Sequence, residues 1–313
     1  MQILILGAGA VGLSLAAKLS AVCDVHAICR KRHADMIAER GLLMTGIWGE
    51  GKYKFSCGEA VPEGMDFDYV IVSSKSIATE AVCEQFAGVI KGKETISLQN
   101  GVGNEEIIAR YTDKVIGGTI ITGFEWRGDA EVHVSVEAGP MTLGRFPEGC
   151  DEKVETLVEI VREAGISVQV SDNIKGALWA KTIYNCALNP LGAVMGIPYG
   201  ELADPHAWNI VREIVKEAFA VTDKSDVKLP WATADEYLSY LKDVQLPSTA
   251  AHHSSMFQDI TSGRKTEIDF LNGAVVSRAE KLGLQAPYND LISEEIRFME
   301  ALNEKKSLKL KNH

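Results

Sequence analysis

The chain has 313 residues, which at about 150 residues per domain suggests two domains. Hydrophobic residues make up 46% and charged residues 24%; this excludes a largely disordered chain and is enough to bury a core without disulfide or metal staples. Thirty-two Lys and Arg against 43 Asp and Glu leave a net charge of −11, so neither nucleic acid nor an anionic membrane is an expected partner.

Residues 1–21 are apolar but lack a basic leader, and Lys18 interrupts their second half, unlike a signal peptide. No run reaches the ~18–20 apolar residues of a membrane span, and a cytoplasmic protein is expected. Short apolar runs predict strands over 3–6, 25–29, 69–73, 95–98, 115–121, 132–136, 141–144 and 166–170. Helical patterns fall at 10–20 and 152–164. Strands alternating with helices imply a mainly parallel sheet covered on both faces. Beyond about residue 171 helices take over, at 173–188, 205–224, 231–243, 250–262, 265–283 and 288–304. The expected domains are therefore 1–170 and 171–313, the second all-helical, with a Lys-rich tail from Lys305 that frays.

Gly7-Ala8-Gly9-Ala10-Val11-Gly12 matches G-x-G-x-x-G between a predicted strand and a predicted helix. The first glycine permits the turn, the second lets a pyrophosphate approach the backbone, and the third lets helix and strand pack closely. The helix N-terminus then faces the phosphates. At the end of the second strand, where an NAD enzyme carries an acidic residue for the ribose hydroxyl, this chain has Arg30-Lys31-Arg32. Cations there suit a 2′-phosphate and predict NADPH, with Arg30 as first choice and Lys31 and Arg32 assisting. Lys75 and Asn100 follow two further strands, where loops face a cofactor in such folds.

In the helical half, Lys181, Asn185 and Asn189 recur at i, i+4, i+8 and share one face of an apolar helix. They need polar partners: either a substrate rich in oxygen, or solvent and neighbouring backbone. On the residues alone, Thr266-Glu267 reads as an exposed helix start. The scattered Cys23, Cys29, Cys57, Cys83, Cys150 and Cys186 form neither a zinc pattern nor a disulfide framework and read as inert thiols. His252 and His253 point about 100° apart on a helix, so no metal site is expected.

Taken together, GAGAVG, Arg30, SSKS around Lys75, LQNGV around Asn100, WAKTIYNCALNPL, SSMFQDI and GRKTEIDFLNG make the chain resemble the ketopantoate reductase family over nearly its full length. The resemblance implies an α/β Rossmann-type dinucleotide-binding domain followed by an all-α domain like the C-terminal domain of 6-phosphogluconate dehydrogenase, with the active site in the cleft between them. It implies NADPH-dependent reduction of ketopantoate, a small-molecule 2-keto acid, by a monomer or homodimer. Gly7, Ala8, Gly9, Ala10, Val11 and Gly12 would bind pyrophosphate. Arg30 and Lys75 would hold the adenosine end and its neighbourhood, and Asn100 the nicotinamide ribose and the substrate. The backbone around Phe124 would also meet the cofactor. Lys181 matches the catalytic lysine, and Asn185, Asn189 and Ser255 match substrate contacts. Glu267 matches the essential glutamate facing substrate and cofactor. Tyr199 and His252 stand where some members carry Asn near the substrate, which leaves open a different branched 2-keto acid. A silent NADPH-binding regulator is a third alternative, opposed by the presence of both Lys181 and Glu267.

Overall fold

The computed structural model describes residues 1–311. In chain order the strands are β1 (Gln2–Leu6), β2 (Asp24–Ile28), β3 (Leu42–Gly46), β4 (Gly51–Tyr53), β5 (Ser56–Gly58), β6 (Tyr69–Val72), β7 (Glu94–Ser97), β8 (Val115–Thr119), β9 (Thr122–Gly128), β10 (Glu131–Glu137), β11 (Met141–Arg145) and β12 (Val168–Val170). The helices are α1 (Ala10–Leu19), α2 (Lys31–Arg40), α3 (Thr79–Gln85), α4 (Ala87–Ile90), α5 (Asn104–Ile108), α6 (Glu152–Glu163), α7 (Ile174–Met195), α8 (Pro205–Lys224), α9 (Ala234–Tyr240), α10 (Leu246–Ser248), α11 (Ser255–Thr261), α12 (Asn272–Lys281) and α13 (Pro287–Lys311). Contacts divide the chain into two units. One takes Met1–Gln99 and Asn104–Lys175; the other takes Asn100–Gly103 and the chain from Gly176 onward.

The first unit is built on an eight-stranded sheet ordered β12-β11-β8-β7-β6-β1-β2-β5. Its pairs are parallel except β8 with β11. Alternation along β1 sends its side chains into two cores. Ile3 and Ile5 join Leu13 and Ala16 of α1 and Leu157 of α6, whereas Leu4 and Leu6 join Cys83, Ile90 and Ile108 on the other face. An Asp151 carboxylate caps α6, accepting from the N–H groups of Lys153 and Val154 at 3.1 Å each.

The expected strand at 132–136 lies outside this sheet. It is part of β10, in a second sheet ordered β4-β3-β10-β9. Met44, Val132 and Val134 of that sheet share the core that holds α1. The strands at 42–46 and 51–53 were not anticipated. They are short, and β3 finds its parallel partner, β10, some ninety residues on, with Leu43 opposite Glu131.

In the second unit α7 runs on through Pro190, past the expected end at 188. A proline there removes the N–H that would bond the Cys186 carbonyl. Asn272 of α12 replaces it: its Nδ2 donates to the Cys186 carbonyl at 3.2 Å and to Asn289 Oδ1 at 3.0 Å. The N-terminus of α13 is held from α8, where the Glu217 carboxylate accepts from the N–H groups of Tyr288 and Asn289 at 2.9 Å each and from Asn289 Nδ2 at 2.7 Å. The expected helix at 250–262 begins only at Ser255, and the one at 265–283 is interrupted at Leu271 before α12. Helix α13 continues to Lys311 rather than fraying from 305; residues 312 and 313 of the expected tail lie outside the described residues. Among the described residues no helix is long and apolar enough to cross a membrane.

Candidate active and cofactor sites

In the first unit, Gly7 takes φ +66°, and a Cβ there would collide with Ser74. A Cβ on Gly12 would meet Ser73 and Ile5, so this glycine lets α1 pack against the sheet. Gly9 differs: a Cβ there meets nothing within 4 Å. Ala8 donates its N–H to the Ile28 carbonyl at 2.8 Å, tying the turn to β2. Helix α1 then starts at Ala10 with no side-chain cap and no acidic residue in its first turn, which comprises Ala10, Val11 and Gly12. Its leading N–H groups have no intrahelical acceptor, and the dipole favours an anion there. Open space above Gly9 and an uncapped ten-residue helix fit a dinucleotide pyrophosphate.

The three cations after β2 are not equivalent. Lys31 Nζ pairs with both Asp35 carboxylate oxygens at 2.9 Å, and Arg32 Nε lies 3.4 Å from Asp129. Arg30, the exposed residue preceding α2, makes no ion pair among the described residues. It is the guanidinium of the three left available for a 2′-phosphate.

Lys75 precedes a 3₁₀ turn (Ser76–Ala78) and accepts the Ala78 N–H on its carbonyl at 2.8 Å. A buried polar network that sequence reasoning missed fixes this loop. Gln99 Nε2 donates to the Ser74 carbonyl at 2.9 Å and to Thr79 Oγ1 at 2.7 Å. Thr79 Oγ1 donates to Asn104 Oδ1 at 2.8 Å, and Asn104 Nδ2 to Ser76 Oγ at 3.2 Å. The signal was present in Gln99, a polar residue closing an apolar strand. Phe124 sits on β9 opposite Val134, its ring edge-on to Trp48 at 5.1 Å.

In the second unit, Lys181, Asn185 and Asn189 lie along α7, Lys181 half-buried and the two asparagines 8% and 5% exposed. The Asn185 amide makes no hydrogen bond to the described residues, nor does Asn189 Nδ2, and neither is sealed from solvent. Asn189 Oδ1 accepts from the Tyr199 hydroxyl. Ser254 caps α11 by accepting the Phe257 N–H at 2.9 Å and donates to the Asn189 carbonyl at 3.1 Å. Ser255, expected as a substrate contact, is the exposed first residue of that helix. Sequence reasoning passed over Ser254 because a buried cap and an exposed neighbour read alike in Ser-Ser.

Asn100 and Glu267 meet: Asn100 Nδ2 donates to Glu267 Oε2 at 3.0 Å. The same short segment docks through its backbone, with the Val102 N–H donating to the Phe270 carbonyl at 3.0 Å. Gly101, at φ +82°, permits that approach, since a Cβ would strike the Phe270 carbonyl. Behind Glu267, the Thr266 N–H and hydroxyl both donate to Glu300 Oε1, at 2.8 and 2.6 Å, and Lys265 pairs with Glu300 at 3.3 Å. Glu267 therefore springs from a firmly held backbone.

The six cysteines are free thiols, and burial pushes Cys23 and Cys83 up to about 11. Among the described residues no group of three or more His, Cys, Asp or Glu side chains is placed to hold a metal.

Residues 3–148 match the family described as ketopantoate reductase PanE/ApbA, and residues 173–300 match its C-terminal family. A 2-dehydropantoate 2-reductase of Pyrococcus horikoshii is 33% identical, covering 96% of this chain and 98% of its own. One from Aquifex aeolicus is 34% identical, covering 97% and 98%. Among solved structures, a PanE/ApbA family ketopantoate reductase from Ralstonia eutropha superposes with a TM-score of 0.87 at 29% identity, covering 97% of this chain and all of the other. A D-mandelate dehydrogenase with NADH and anilino(oxo)acetate gives 0.87 at 26% identity, with the same coverage. A Rossmann-type sheet with its glycine turn, an all-helical second unit, and these matches over both lead to one statement: the chain belongs to the ketopantoate reductase family.

Proposed function

We propose that the protein reduces ketopantoate (2-dehydropantoate) to pantoate with NADPH. The observation that carries the reading is the Lys181 face of α7, where two buried asparagines keep amide donors that no group among the described residues uses. Buried polar groups demand partners, and a small oxygen-rich acid supplies them. Full-length likeness to 2-dehydropantoate 2-reductases supports the choice of acid.

The turn from Gly7 to Gly12 holds the pyrophosphate, and Arg30 holds the 2′-phosphate, with Lys75 beside it. Asn100, oriented by Glu267, serves the nicotinamide ribose and the substrate. NADPH, when bound, supplies a hydride to the ketone carbon. The Lys181 ammonium stabilises the negative charge that grows on the carbonyl oxygen and transfers a proton to it, completing the alcohol. Asn185, Asn189 and Ser255 hold the carboxylate and hydroxyl of the substrate, and Glu267 faces substrate and cofactor. The reading goes with a cytoplasmic monomer or homodimer that engages neither nucleic acid nor membrane.

A second reading, reduction of another branched 2-keto acid, is favoured by the aromatic group around Tyr199. Its ring meets those of Tyr184 and His252 edge-on, at 6.1 and 5.4 Å. The test is NADPH oxidation at 340 nm with ketopantoate, 2-ketoisovalerate and phenylglyoxylate, repeated with NADH. Turnover restricted to ketopantoate and NADPH is expected. Turnover only with another acid selects the second reading, and tight NADPH binding without turnover on any acid defeats both.

A further inference from the structure

Behind the α7 face stands a residue with no role in the reaction just described. Tyr199, 3% exposed, begins the 3₁₀ turn Tyr199–Ala203, and its hydroxyl donates to Asn189 Oδ1. Its position is fixed from several sides. The Tyr199 N–H donates to the His252 carbonyl at 3.0 Å, and the ring is wedged edge-on between Tyr184 and His252. Tyr184 is itself tethered, its hydroxyl 3.1 Å from Thr249 Oγ1. Burial pushes the Tyr199 hydroxyl well above the ordinary phenol range, so it keeps its proton throughout the neutral range.

A primary amide has two ends of similar shape and opposite hydrogen-bonding character, one accepting and one donating. Nothing in the shape of the group chooses which end faces a ligand. A rigid phenol that donates to the oxygen does choose. The reverse arrangement would set the phenol against Nδ2 and leave its own buried proton without an acceptor, which is unfavourable. Asn189 Oδ1 is therefore occupied, and Nδ2 is the end left without a partner among the described residues. Because Asn189 also anchors α11 through its carbonyl, its backbone cannot turn to compensate.

We propose that Tyr199 is a positioning residue: its hydroxyl fixes the Asn189 amide with Nδ2 outward, so that this part of the site receives a lone-pair or anionic oxygen of the keto acid and disfavours a donor. The proposal rests on the reading of the α7 face as the keto-acid site.

The experiment compares wild type, Tyr199→Phe, Asn189→Ala and the double variant, with thermal midpoints confirming that each is folded. Turnover is measured with NADPH and the best acid of the panel above, and binding of that acid to the NADP⁺-loaded protein by calorimetry. Tyr199→Phe deletes one oxygen. It is expected to raise KM and the calorimetric Kd for the acid by about 10-fold, as loss of one well-placed hydrogen bond would. The change in kcat stays within ~3-fold, and NADPH affinity is unchanged. In the Asn189→Ala background the same change is expected to have no further effect, since the hydroxyl acts through an amide no longer there. An unchanged KM and Kd in Tyr199→Phe overturns the proposal, as do losses that multiply in the double variant. Asn189→Asp keeps an acceptor for the phenol but turns an oxygen outward, and is expected to weaken the acid at least as much as Asn189→Ala; affinity equal to wild type overturns the proposal. Wild-type protein that turns over no acid refutes the proposed function, whereas normal wild-type turnover with an indifferent Tyr199→Phe refutes the positioning role alone.

Discussion

Replacing Arg30 by Ala tests which cation reads the 2′-phosphate. Lys31 is engaged with Asp35 and Arg32 with Asp129, while Arg30 has no such partner among the described residues. A charge-assisted hydrogen bond of this kind contributes about 1.5–3 kcal/mol. Arg30→Ala should therefore weaken NADPH binding ~10- to 150-fold. NADH, which lacks the phosphate, should bind as before. Lys31→Ala should change NADPH affinity far less, because its ammonium is already held by a carboxylate. The assay is quenching of tryptophan fluorescence by each cofactor at low and high salt, and the Arg30→Ala penalty should shrink as ionic strength rises. If Lys31→Ala loses as much NADPH affinity as Arg30→Ala, or if Arg30→Ala weakens both cofactors equally, the assignment by free charge is wrong.

Lys181→Ala removes the proton donor and should lower kcat by ~10²-fold or more while leaving NADPH affinity intact; a near-normal kcat would take lysine out of the chemistry. Asn272→Ala strips the Cys186 carbonyl of its substitute donor and should destabilise the protein by about 2–4 kcal/mol in urea unfolding. In a Pro190→Ala background, where an N–H is restored to the helix, that cost should fall by about 1 kcal/mol or more; an equal cost in both backgrounds refutes the pairing of Pro190 with Asn272. His26 and His33 both titrate below their ordinary 6.5, chiefly because burial disfavours the imidazolium, and His33 Nδ1 accepts the Ala130 N–H at 3.2 Å. The unfolded chain binds those protons more readily, so this contribution is complete above pH 6.5 and is lost as pH falls below it. The thermal midpoint should drop from pH 7 to pH 5, and the slope should flatten in a His26→Asn, His33→Asn variant; an unchanged slope would assign the loss to other groups.

Local signals made much of the architecture readable. A strand that starts almost at residue 1, a glycine turn and a helix of small apolar residues follow each other within twenty residues, and each is read from neighbours in the chain. The helical character of the second half was plain as well, because its apolar period is set turn by turn, although the helices expected at 250–262 and 265–283 start late or are broken. What escaped depends on distant partners. Strand β3 finds its partner in the distant β10 and β4 pairs in turn with β3, while the Cys186 carbonyl that Pro190 leaves without an N–H meets its donor in Asn272, some eighty residues on. The candidate site divides in the same way. Lys181, Asn185 and Asn189 stand out as polar residues in an apolar helix, whereas the bond between Tyr199 and Asn189 and the network of Gln99, Thr79 and Asn104 are invisible until the chain has folded. The distinction between Arg30 and its two basic neighbours likewise requires the placement of Asp35 and Asp129.

The segment Asn100–Gly103 has a consequence for how the molecule is made. It emerges from the ribosome between two strands of the first sheet, yet its Asn100 donor finds its acceptor on Glu267, 167 residues later. At ~5–20 residues per second, roughly 8 to 33 s of synthesis separate the two. Every strand of the first unit has been made by then, and its sheet can form while these four residues wait. A nascent chain that has released the whole first unit but not yet reached Glu267 would thus hold its sheet without the Asn100–Glu267 bond or the Phe270 acceptor of the Val102 N–H, and a fragment beginning at Gly176 would lack both donors altogether.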